Sequence, residues 1–311
     1  MQIRNLGGSG LRVSAVGIGC NNFGQRIDLE ASRKVIHKAI DLGITLFDTA
    51  DIYAGMGGSE TVLGTVLGDR RKDIVLATKY SKPMSNDGTK QGASRRYIMA
   101  AVEASLTRLK TDWLDLYQVH QPDPLTPIEE TLRGLDDLVR AGKVRYVGCS
   151  NYSAAQVTEA QWAARHLNLN AFISCQDEYN LLKRDLDGER LGVMQRYGLG
   201  LLPFFPLASG LLTGKHKRGA AASGTRLATA QFAGRFMTDA NFDIVEKLEA
   251  FVTARGHTMT DLAFSWLAAR APVASIIAGA TKPEQIEANV KATGWTLTAD
   301  DMAEIDKLTA R

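Results

Sequence analysis

Short apolar runs alternate along the whole chain with segments whose apolar residues recur at helical spacing. The runs fall at 15–18, 44–47, 74–78, 114–119, 144–149, 171–175, 200–204 and 274–277. The helical patterns fall at 29–42, 58–67, 94–109, 127–140, 153–166, 188–196, 259–269 and 283–291. A strand buried on both faces is apolar throughout, and the amphipathic stretch between two such strands supplies the crossover that parallel strands require. Eight βα units without a Pro-, Gly- or Ser-rich linker predict one α/β domain over 1–311. The expected form is a (β/α)8 TIM barrel with its site at the carboxyl ends of the strands. Ahead of the first unit, 2–5 and 11–13 flank Gly7-Gly8-Ser9-Gly10 and predict a hairpin across the bottom of the barrel. Two more helical patterns, 241–255 and 299–309, are additions to the eightfold plan. A doubly wound sheet is the competing architecture, but Gly17-Ile18-Gly19-Cys20-Asn21-Asn22 has Asn22 where a dinucleotide fingerprint needs its third glycine.

Composition narrows the choice of partner. With 311 residues, 45% of them apolar, the chain can bury a large core, and 37 basic against 34 acidic side chains leave a net charge of only +3. That balance speaks against nucleic acid or a membrane surface as the main partner, so any anion site must be local. The three cysteines, Cys20, Cys149 and Cys175, form no CxxC pair and suit reduced thiols. No apolar stretch reaches about 18 residues and the N-terminus has no signal-type apolar region, so a cytoplasmic protein is expected. The sequence does not encode an oligomeric state that can be read.

Chemistry enters at three strand ends. Asp48 closes the 44–47 run, Lys79 follows 74–78, and His120 follows 114–119, while Tyr53 lies in a Gly-rich loop ending in Gly57-Gly58-Ser59-Glu60. Charged groups closing apolar strands are costly unless they meet and pair. Singly, each has an ordinary reading: a helix-capping Asp, a packed Tyr, a snorkelling Lys, a polar His before a turn. Jointly they form a set for protonating a carbonyl oxygen. Tyr53 carries a transferable proton, Lys79 stabilises the phenolate, Asp48 balances Lys79, and His120 orients the carbonyl. His37, His166, His216 and His257 lack a second ligand at metal spacing, so no metal is expected.

At these residues the chain resembles the aldo-keto reductases, nicotinamide-dependent TIM-barrel oxidoreductases, in the branch that includes the potassium-channel β subunits. The similarity runs the length of the chain. Phe47-Asp48-Thr49-Ala50-Asp51-Ile52-Tyr53, Thr78-Lys79 and Val119-His120 stand in the order of the family's catalytic Asp, Tyr, Lys and His. Arg145-Tyr146-Val147-Gly148-Cys149-Ser150-Asn151-Tyr152 resembles a second signature, with Cys149 where an aliphatic residue is commoner.

The resemblance also implies a cofactor site. Cys20, Asn21 and Asp48 fall on it, and Ser150, Asn151 and Gln176 take the positions that hold the nicotinamide carboxamide. Phe204, where the family usually has Tyr or Trp against the nicotinamide ring, keeps the stacking face without a hydroxyl. Pro206, Leu207, Ser209 and Gly210 begin the family's pyrophosphate cradle, with Lys215 after it and Arg226 in a long loop. Between 209 and 238 that loop holds Lys215, Lys217, Arg218, Arg226 and Arg235 and no acidic residue. Gly279, Thr281, Gln285 and Asn289 open the last barrel helix, where a helix N-terminus and Lys282 suit a 2′-phosphate. NADP(H) is therefore the expected cofactor. Gln285, at a position often held by Arg, leaves NAD(H) possible.

The implied activity is NADPH-dependent reduction of an aldehyde or ketone, the partner being a small carbonyl substrate. A cofactor-binding regulatory subunit and a sugar- or pyridoxal-type alcohol dehydrogenase are the alternatives. The substrate walls are expected from 20–27, 80–92 and 121–127.

Overall fold

A computed structural model, in which residues 1–310 are described, has a closed eight-stranded parallel barrel ringed by helices. A two-stranded antiparallel ribbon, β1 (Ile3–Asn5) and β2 (Arg12–Ser14), precedes it in the chain. The barrel strands are β3 (Val16–Gly19), β4 (Leu46–Asp48), β5 (Val75–Tyr80), β6 (Leu114–Val119), β7 (Val144–Ser150), β8 (Ser174–Glu178), β9 (Gly200–Phe204) and β10 (Ile276–Gly279), and β10 closes on β3.

Helices α1 (Leu29–Asp41), α2 (Tyr53–Val66), α3 (Arg95–Leu109), α4 (Ile128–Arg140), α5 (Ala154–His166) and α6 (Glu189–Tyr197) link successive strands. After β9 come a 3-10 turn at Ala208–Thr213, a short α7 (Ala230–Phe236), and then α8 (Asp239–Thr253) and α9 (Met259–Ala269). The chain finishes with β10, α10 (Pro283–Lys291) and α11 (Ala299–Leu308). The expected hairpin, the eight units and the two added helices, α8 and α11, are therefore present. None of the described helices is long and apolar enough to cross a membrane.

Local chemistry accounts for the helix starts. Ser94, Ser153, Thr258 and Thr298 each accept a hydrogen bond from the backbone N–H three residues on, and Ser153 with Gln156 forms a reciprocal capping box. Most of the core lies between barrel and helices, where Ile18, Phe47, Leu76, Tyr117 and Val147 meet the inner helix faces. A second cluster holds Leu46, Leu116, Leu202 and Ile277, with Leu6 and Val13 of the N-terminal segment.

Two expectations need correction. The strand expected at 171–175 runs at Ser174–Glu178, because its residues are largely polar and the more apolar Ala171-Phe172-Ile173 lead into it. The segment after β9, expected as a loop, contains α7, whose Phe236 is buried and stacks on Phe232.

Candidate active site

Parallel register brings the expected charged residues together at one barrel mouth. Gly19 pairs with Asp48, Asp48 with Ala77, Lys79 with Gln118, and Ser150 with Gln176, so the ends of β3 to β8 form one rim. Lys79 is fully buried and Asp48 nearly so. Lys79 Nζ donates to Asp48 Oδ2 at 2.6 Å and to the Thr49 carbonyl at 2.8 Å, and lies 3.5 Å from the Tyr53 hydroxyl. The second oxygen of Asp48 accepts from Gln176 Nε2 at 2.8 Å and Gln118 Nε2 at 3.2 Å. A buried ion pair survives when its remaining lone pairs are filled in this way.

Electrostatics set the proton positions. Burial pulls the Lys79 pKa down, but the Asp48 carboxylate and then Tyr53 outweigh it, so the ammonium stays charged. For Tyr53, burial raises the pKa and exceeds the downward pull of Lys79, so the phenol keeps its proton. His120 meets the Tyr53 ring edge-on at 5.8 Å. Burial, then Lys79 and Lys82, push its pKa down to about 2, which makes it a neutral imidazole. Its Nδ1 is buried and without a hydrogen-bond partner among the described residues.

Tyr53 is held by an uncommon backbone. The stretch expected as a Gly-rich loop is a left-handed turn: Ala54, Gly55, Met56 and Gly57 have φ of 56°, 72°, 67° and 109°, and only then does right-handed helix follow. Gly57 is obligatory for a second reason, since a Cβ there would lie 2.4 Å from the Arg108 side chain. Arg108 in turn pairs with fully buried Glu60 at 2.7 Å, and Glu60 accepts from Thr78, the neighbour of Lys79, at 2.6 Å. The turn that carries Tyr53 is thus braced from behind.

Two cavities meet at this mouth. One, of about 470 Å³, is lined by Asp48, Tyr53 and His120 on one side and by Asn21, Ser150, Asn151, Gln176 and Phe204 on the other. The second, of about 290 Å³, is lined by Leu207, Ser209, Gly210 and Lys215, facing Thr281, Gln285 and Asn289. Phe205, Pro206, Arg226 and Gly279 belong to both. Every residue expected at a cofactor site therefore reaches a cavity wall except Cys20 and Lys282, the latter expected near a 2′-phosphate. The Cys20 thiol is buried against the Ile18 carbonyl, and its backbone instead joins Asp48 and Ser59.

The second cavity suits a diphosphate. Ser209 and Gly210 have φ of 58° and 111°, and the buried Ser209 hydroxyl has no hydrogen-bond partner among the described residues. The Arg226 guanidinium is desolvated beside the Phe205 and Phe232 rings and donates to Asn22 Oδ1 at 2.8 Å. An orphaned hydroxyl, Lys215 and a partly dehydrated Arg226 make a donor set for anionic oxygens. Gln285 caps the start of α10 by accepting from Thr281 N at 2.7 Å and Lys282 N at 3.3 Å. Elsewhere in the basic loop, Arg218 is tied to Asp239, Asp243 and Glu246, and Arg235 pairs with Glu178.

Sequence reasoning missed Gln118 and the bridging role of Asn22. Gln118 lies two positions before His120, on the same strand face, which was the available signal. Asn22, which breaks the dinucleotide fingerprint, donates to the Ala280 carbonyl at 3.2 Å and so ties the loop after β3 to the end of β10.

This constellation on a closed parallel barrel defines an oxidoreductase acting on carbonyl groups. Residues 15–310 match the aldo/keto reductase family, and the chain belongs to it; NAD(P)H-dependent carbonyl reduction is the family's general activity. Among its relatives are a probable voltage-gated potassium channel subunit beta of Arabidopsis thaliana, 39% identical over 94% of this chain and 91% of the relative, and the L-glyceraldehyde 3-phosphate reductase of Escherichia coli K12, 35% identical over 99% and 92%. The aldo-keto reductase YhdN of Bacillus subtilis is 33% identical over 99% of this chain and 93% of its own length.

Proposed function

We propose that the barrel, as one domain over 1–311, reduces aldehydes or ketones with NADPH and that Tyr53 is the proton donor. A bound nicotinamide supplies the hydride to the carbonyl carbon. Ser150, Asn151 and Phe204 would hold that end of the cofactor, while Ser209, Gly210, Lys215 and Arg226 would hold its phosphates. Neutral His120 offers a ring nitrogen to the substrate oxygen and keeps it beside Tyr53. The Tyr53 O–H would donate its proton to that oxygen, leaving a phenolate beside the Lys79 ammonium.

The observation that carries this reading is the buried ion pair of Lys79 with Asp48 beside the Tyr53 hydroxyl. A fixed cation there stabilises charge that exists only after the proton has left, which lowers the barrier rather than merely binding substrate. The same feature favours catalysis over a purely regulatory role. Aldehyde-dependent loss of NADPH absorbance, measured for wild type and Tyr53→Phe, tests it. Turnover should fall on the order of 10³-fold while NADPH titration by fluorescence is nearly unchanged. Turnover within tenfold of wild type, about 1.4 kcal/mol, would remove Tyr53 from the acid role.

A further inference from the structure

Lys82 is a cation in the wall of the cavity that holds Tyr53 and His120. It is half-buried, and the surrounding protein has stripped part of its hydration, which lowers its pKa. The other charges of this cavity each have a partner within the protein. Asp48 is bound to Lys79, Glu178 to Arg235, and Arg226 to Asn22. Lys82 alone among the described cations of this wall has no hydrogen bond or ion pair. The buried carboxylate that acts on it, Asp51, makes no hydrogen bond to it.

The backbone is built to present this residue. Ser81 has φ of 99°, a conformation a non-glycine residue adopts only when its surroundings enforce it. Its hydroxyl donates to the Gln121 carbonyl at 3.0 Å and accepts from the Gln121 N–H at 3.1 Å, so the turn after Lys79 is locked to the residue after His120. The Gly92 N–H closes the loop on the Ser81 carbonyl at 2.9 Å. A strained, doubly anchored residue thus separates Lys79, which serves Tyr53, from Lys82, which faces the open space above it.

We propose that Lys82 recognises an anionic group, phosphate or carboxylate, on the substrate, so that the preferred substrate is a short aldehyde carrying negative charge. This rests on the reductase reading given above and adds the substrate's charge. A partly dehydrated ammonium with no internal partner gains a full charge-assisted hydrogen bond from such a group. A neutral aldehyde offers that ammonium no charged partner.

The experiment compares kcat/KM for two matched pairs: glyceraldehyde 3-phosphate against glyceraldehyde, and succinic semialdehyde against butanal. Wild type should favour the charged member of at least one pair by about tenfold or more, and which pair shows it separates phosphate from carboxylate recognition. Lys82→Met, which keeps the stem, should collapse that ratio toward one. Lys82→Arg should restore most of it. Circular dichroism melts establish that each variant is folded. Equal kcat/KM within both pairs for wild type overturns the proposal, as does a preference that survives in Lys82→Met. Reduction of none of the four aldehydes would instead sink the reductase reading itself.

Discussion

Gln176 and Asp48, 128 positions apart in the chain, are joined by a 2.8 Å hydrogen bond from Nε2 to Oδ1. The bond crosses the barrel mouth from β8 to β4, so the carboxylate that balances Lys79 is oriented by a residue expected only to bind cofactor. Asp48, Lys79 and Gln176 are thereby one unit, and perturbing any of them moves the others.

That unity predicts non-additive losses. Lys79→Met should keep the fold and collapse reduction by about 10²-fold or more, since the cation beside Tyr53 is gone. Asp48→Asn should weaken reduction by a related route. The double variant should lose far less than the sum of the two losses in free energy, measured from kcat/KM. Additive losses would show that the two side chains act separately.

Stability should carry the signature of Asp51. Burial first, then the nearby Glu60 carboxylate, push its pKa up to about 7, and neither oxygen has a hydrogen-bond partner among the described residues. Below about pH 4 both folded and unfolded chains hold this proton. Between about 4 and 7 the unfolded chain releases it and the folded chain does not, so stability from this group falls as pH rises, and the loss is constant above 7. Asp51→Asn should flatten the urea-midpoint profile across that window, with a gain on the order of a few kcal/mol near neutrality. Asp177, raised to about 6 by burial, slopes the same way, so the difference between variant and wild type is the quantity to read. Parallel profiles for the two proteins would contradict the assignment.

Cofactor choice should turn on Lys215, Arg226 and Thr281. NADPH should bind more tightly than NADH, and Lys215→Met should weaken both, NADPH the more, narrowing the gap. Dissociation constants from fluorescence titration at one salt concentration decide this. Equal values in wild type would locate the cause at Gln285, whose carbonyl oxygen already engages the Thr281 and Lys282 N–H groups at the start of α10.

His120 should contribute no limb to the pH–rate profile between pH 5 and 8, because its imidazole is neutral throughout that range. A limb in that range that disappears in His120→Gln would show that the ring does titrate.

The barrel and the strand-end positions that bring Asp48, Lys79 and His120 to its mouth with Tyr53 were legible because their signals are local. Continuous apolar runs mark buried strands, and Asp48, Lys79 and His120 each stand at the end of one. What stayed hidden depends on direction rather than identity. Strand β8 is mostly polar, so the run at 171–175 pulled the expected strand upstream of Ser174–Glu178. Gln118 resembles any amide until the register sets it against Asp48. Cys20 shares its stretch with Asn21 and Asn22, yet its thiol turns behind the cavity floor. Of five cations in the long loop, only those aimed inward matter, and Arg218 is drawn outward by three carboxylates on α8.

The left-handed turn after Tyr53 also shapes which sequences this chain can explore. Ala54 and Met56 occupy a region where each L-residue is disfavoured by roughly 1–2 kcal/mol and glycine is not. In a saturation library scored for foldedness alone, glycine should enrich at 54 and 56, β-branched residues should be purged there, and every side chain should be excluded at Gly57 by Arg108. Neutral drift can therefore remodel the substrate loops freely, whereas the four positions 54–57 tolerate little beyond the residues they hold and glycine.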